Sequence, residues 1–76
     1  MMRTVEKQKE LLLNARNNKT ETLEIIKKAD LYYEEDREDF ITLINEPDFD
    51  YSWNFYANLD TAAREDFMDL LEKVGD

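Results

Sequence analysis

Glu35 with Asp39, and Asp66 with Asp69, stand four and three residues apart. Those spacings put two carboxylates on one helix face. Such a dyad can do general acid–base work when a cleft drives the two pKa values apart, but a domain of 76 residues has little room for a cleft beside its core. The chain has no His and no Cys, so the commonest general base and the strongest nucleophile are missing. The pairs read as solvated helix faces, and the chain is not expected to be an enzyme.

A second pattern imitates a cation loop. Asp48, Asp50, Ser52 and Asn54 fall at positions 1, 3, 5 and 7 of a calcium-binding frame. The sharp turn of that loop needs Gly where this chain has Trp53, and its bidentate Glu is replaced by Leu59. No metal and no cofactor is expected.

Charge is the stronger signal. Residues 1–28 carry a net +3, whereas residues 29–76 carry three bases against fifteen acids, a net −12. From Asp30 to Asp50 there are nine carboxylates and one base, Arg37. At B-DNA's spacing of about one charge per 1.7 Å, twelve charges correspond to roughly 20 Å of duplex. A field of that sign repels nucleic acid and membrane surfaces and attracts basic grooves. Direct nucleic-acid binding and membrane association are therefore not expected. With no His, the field should change little between about pH 5 and 8.

Beside the acids lies an aromatic stretch, Phe49, Tyr51, Trp53, Phe55 and Tyr56. Phe49, Trp53 and Phe55 are expected to be mostly buried, Tyr51 and Tyr56 at least partly exposed. Large flat side chains next to carboxylates suit a contact surface. The candidate partner-binding residues are Asp30, Glu34, Glu35, Asp36, Glu38, Asp39, Glu46, Asp48, Asp50, Tyr51 and Tyr56.

The elements that must position these residues are helical. One Gly and one Pro leave little material for the turns of an all-β fold. Thr4 can cap a first helix reaching about Ala15, with Val5, Gln8, Leu12 and Ala15 on one face. Arg16–Lys19 reads as a turn, and Thr20 or Thr22 opens a second helix with Ile25, Ile26, Ala29, Tyr32 and Tyr33 as its apolar stripe. A third helix runs from about Glu35 to Asn45 and stops at Pro47. There Glu34/Glu38 and Glu35/Asp39 would form parallel negative rows. The aromatic stretch alternates like a strand, yet Phe49, Trp53 and Tyr56 also have helical spacing behind Asp48. In the last segment Asp60 or Thr61 caps a helix whose stripe is Ala63, Phe67, Leu70, Leu71 and Val74, with Gly75 at its end. The expected fold is all-α, one domain over 1–76, a compact bundle of four to five short helices; the alternative is α+β with a short aromatic strand pair around 49–56.

With no 18-residue apolar run and no apolar signal core, the chain is expected to be cytoplasmic. Its expected function is that of an inhibitor occupying the basic nucleic-acid-binding groove of a host or defence protein by DNA or RNA mimicry. In size and composition alone it resembles small acidic proteins that bacteriophages direct against host nucleases and other nucleic-acid-binding factors. The alternative is a helical adaptor or regulator of the anti-sigma, antitoxin or immunity type, gripping its partner through the aromatic stretch. A homodimer hiding Leu11–Leu13 is compatible with both.

Overall fold

A computed structural model describes residues 3–75. It contains five helices and, among the described residues, no strand: α1 (Val5–Asn17), α2 (Lys19–Lys28), α3 (Asp36–Asn45), α4 (Phe49–Ala57) and α5 (Thr61–Leu71). The all-α expectation holds. The strand pair around 49–56 does not.

The reason lies in the helical step of about 100° per residue, which splits the apparent alternation into two i, i+4 pairs on opposite faces. Phe49 and Trp53 lie on the Tyr56 side and Phe55 on the other, all three half-buried against the core rather than mostly buried, while Tyr51 faces solvent. Asp48 starts the helix, its Oδ1 accepting from the N–H groups of Asp50 (2.9 Å) and Tyr51 (3.4 Å). Ser52, one of the calcium-frame residues, is fully buried and donates its hydroxyl to Leu43 O at 2.8 Å, fastening α4 to α3.

α1 opens where expected, with Thr4 Oγ1 accepting from Lys7 N–H. Its buried stripe is Leu11, Leu12 and Ala15. Val5, expected inside, is 57% exposed, and at that level the bundle instead holds a polar contact, Tyr56 Oη donating to Gln8 Oε1 at 2.8 Å. The predicted turn shrinks to one residue, since Asn18 ends α1 and begins α2. Thr22 opens nothing: it is buried in α2, its hydroxyl donating to Ala15 O (2.9 Å) and Asn18 O (2.8 Å). Of Leu11–Leu13 only Leu13 is exposed.

The core is centred on Phe40 and Phe67, whose ring centroids are 4.7 Å apart, with Leu12, Ile26, Leu43, Met68 and Leu71 around them. Tyr56 joins this core 6.0 Å from Phe67. It is 2% exposed and so corrects the expectation that it faces solvent. Burial pushes its phenol up to about 12. α5 starts as read, Asp60 capping it through Ala63 N–H at 2.8 Å, but it ends at Leu71, and Val74, still buried, lies in the turns that lead to Gly75 in the left-handed conformation (φ 86°).

Three arginines work inside the fold. Arg3 ties the approach to α1 to the outer face of α5, pairing with Asp69 and Glu72 (2.7 Å each) and Glu65 (3.6 Å). Arg16 donates to Leu43 O and Pro47 O at the end of α3. Arg37 donates to Ile26 O, Lys27 O and Ala29 O at the end of α2.

Candidate protein-binding surface

The segment between α2 and α3 starts from a helix end that needs partners, because the last carbonyls of α2 have no intrahelical donors. Arg37 supplies them from the first turn of α3 and also pairs with Glu34. Hydrogen bonds from Asp36 N–H to Tyr33 O (3.1 Å) and from Arg37 N–H to Glu34 O (3.2 Å) close a tight turn. Tyr32 N–H donates to Asp66 Oδ2 at 2.9 Å, which docks the segment on α5.

Held in this way, Tyr32 and Tyr33 face solvent at 74% and 44% exposure, their rings edge to face at 4.8 Å. They were expected in the stripe of α2. That helix ends earlier, at Lys28, with Ala29 as its extended cap. Lys27 and Lys28 in the last turn, which suit the negative end of the helix dipole, were the available signal. Below Tyr32 a shallow groove of about 250 Å³ is lined by Ala62, Glu65, Asp66 and Asp69.

Asp36 is the centre of the charge. It is 9% exposed, and its Oδ2 has no hydrogen-bond partner. Its carboxyl is pushed above the ordinary range by burial first, then by the negative charges of Asp60, Glu35, Asp39 and Asp66. Five carboxylates from α3, the approach to it, the α4–α5 junction and α5 therefore converge. The convergence is electrostatic: among the described residues no three acidic side chains are placed to hold a metal ion.

This arrangement carries a prediction. A raised native pKa means that Asp36 favours folding when protonated, below its unfolded value near 4, and that this contribution is lost as pH rises through the native value. Asp36→Asn should accordingly stabilise the protein at pH 7 by about 1 kcal/mol, the scale of a relieved buried polar group. The gain should shrink toward pH 4. Urea unfolding at both pH values checks this, and a loss of stability at pH 7 would mean that the carboxylate has a partner.

The expected partner-binding residues fall into separate groups. Asp30, Glu34, Glu35, Asp36, Glu38 and Asp39 gather at the N-terminal end of α3, where Glu34 alone is in an ion pair, with Arg37. Glu46, Asp48, Asp50 and Tyr51 lie at its other end, about 15 Å away for ten helical residues. Tyr56 is in the core. The parallel rows expected on α3 are not drawn as such, because the helix begins at Asp36 and leaves Glu34 and Glu35 in the turn before it. Asp60 and Asp66, not among the expected residues, join the first group through the fold alone. The chain matches no protein-family model, no curated protein and no solved structure.

Proposed function

We propose that the chain is a small protein inhibitor whose Tyr32–Asp39 end occupies the basic nucleic-acid-binding surface of a partner protein. The observation that carries this reading is an imbalance. Glu35, Asp36, Asp39, Asp60 and Asp66 converge with no ion pair among the described residues, whereas Arg3, Arg16 and Arg37 are turned onto internal partners. Carboxylates take the places of phosphates, and Tyr32 and Tyr33 supply the short-range anchor typical of interface aromatics. Like charges this close cost stability in a small domain, which is understandable where they meet a cationic groove. The likeness in size and composition to phage inhibitors agrees with a target in the host-cell cytoplasm.

The test uses proteins from the source cells held on immobilised duplex DNA at about 50 mM salt, where phosphate contacts dominate retention. The wild-type chain should elute a DNA-bound protein. The variant Glu35→Gln/Asp39→Asn/Asp60→Asn/Asp66→Asn, which removes the charges and keeps one acceptor oxygen on each side chain, should need at least about ten times the concentration, and the two should converge as screening rises near 0.5 M. Equal elution by both proteins, or elution by neither, ends the mimicry reading.

A further inference from the structure

The outward face of α4 takes no part in the surface above. Tyr51, Phe55 and Leu59 follow one another at i, i+4 and i+8, and with Asn54 and Asn58 they line an open groove of about 410 Å³. Tyr51 is 63% exposed, and Phe55 and Leu59 are half-buried. Tyr51 and Phe55 are about one turn apart on α4, and Leu59 lies just past the Asn58 cap.

Its electrostatic setting is negative at one end. At the N-terminal end Glu46, Asp48 and Asp50 have no cationic partner among the described residues, and Glu46 also lines the narrow continuation of the groove between α3 and α4. At the other end the last carbonyls of α4 are capped, Asn58 donating to Asn54 O from its side chain at 2.9 Å and Leu59 N–H to Tyr56 O at 3.0 Å. Arg16, the arginine near this corner, is turned onto Leu43 O and Pro47 O.

We infer that this groove is a second docking site, independent of the Tyr32 surface, and that its occupant is a cationic amphipathic helix of a partner protein. Apolar side chains one turn apart on that helix fill the spaces between Tyr51, Phe55 and Leu59, the helix-in-groove mode of recognition. Lysines or arginines at one end of that helix meet the carboxylates of Glu46, Asp48 and Asp50. A second copy of this chain fits poorly, since each copy carries −9 and an isologous pairing through α4 would bring the same carboxylates together.

The probes are three synthetic helical peptides of about fourteen residues: leucine and lysine at amphipathic spacing, the same with glutamate for lysine, and the same with alanine for leucine. Amide chemical shifts of the labelled protein report the site. The leucine–lysine peptide should move resonances of α4 and of the Thr42–Glu46 end of α3, and Tyr51→Lys/Leu59→Lys should weaken it at least about tenfold, the loss expected when anchor residues are removed. Circular dichroism verifies that this variant, changed at exposed Tyr51 and half-buried Leu59, is folded. Shifts confined to Tyr32–Asp39, binding by the alanine–lysine or the glutamate peptide as tight as by leucine–lysine, or concentration-dependent dimerisation lost in the Tyr51/Leu59 variant would overturn the inference. The first of these outcomes leaves the proposed function standing, so the two ideas fail separately.

Discussion

Phe67→Ala is expected to leave most of the molecule unfolded in moderate urea and close to unfolding in water. Phe67 is fully buried, 4.7 Å from Phe40 and 6.0 Å from Tyr56, so it joins α5 to α3 and α4 at once. Replacing a buried Phe by Ala costs about 3–5 kcal/mol through lost transfer energy and the cavity left behind. A domain of this size holds roughly 4–11 kcal/mol in total at about 0.05–0.15 kcal/mol per residue. One side chain thus carries about a quarter or more of the available stability. Far-UV circular dichroism against urea measures it, with half-buried Trp53, 5.2 Å from Tyr56, as a second probe of the same transition. Tyr51→Ala, exposed on α4, is the matched control and should change stability by no more than about 0.5 kcal/mol. If Phe67→Ala cost less than about 1 kcal/mol, the aromatic centre would not be packed as described.

That centre was only partly visible in the residues. α5 was legible in its start and its period, Asp60 and the Ala63–Phe67–Leu70–Leu71 stripe, but its stop was read too late, since the helix ends at Leu71 and Gly75 closes the turns that follow. α3 was bounded by Pro47 on one side and acids on the other. α4 resisted because Phe49–Phe55 satisfies a period of two by eye and a period of 3.6 in fact, and only the Asp48 cap breaks the tie. Tyr56 went inside because α1 offered Gln8 to its hydroxyl, a partner 48 residues away that no local pattern contains.

The same limit applies to the surface. Its charges were legible as a total but not as a place, since Asp60 and Asp66 reach Asp36 from 24 and 30 positions further along the chain. The nine carboxylates from Asp30 to Asp50 are in fact divided between the two ends of α3. The exposed tyrosines were missed for a different reason. Tyr32 and Tyr33 prolong the stripe of α2 on paper, but the chain leaves the helix at Ala29 and Arg37 holds it there.

That restraint leads to the second large effect, which separates charge from shape. Arg37→Lys keeps the net charge of the protein, so an inhibitor acting through its total field alone would be indifferent to it. The guanidinium, however, donates to Ile26 O, Lys27 O and Ala29 O while pairing with Glu34, and an ammonium on a flexible stem cannot serve that fork-shaped set. Arg37→Lys should lower Tm by about 5 °C or more, the shift a small domain shows when several hydrogen bonds are lost, and Arg37→Ala by more. Hydrogen exchange should show the loss first in the amides of residues 29–36, because there the end of α2 and the turn before α3 lose their common anchor. The Glu34 carboxyl, held below its ordinary range by hydrogen bonding to Arg37, should move back up in both variants. A group with a depressed native pKa contributes stability above its unfolded value and loses it as pH falls through the native one, so this small contribution present at neutral pH disappears with Arg37. Release of a DNA-bound partner should then weaken in Arg37→Lys although no acid has been touched, since Tyr32 and Tyr33 are no longer fixed beside Asp36 and Asp66. Unchanged release together with the lowered Tm would place the whole affinity in the carboxylates and leave the tyrosines without a role.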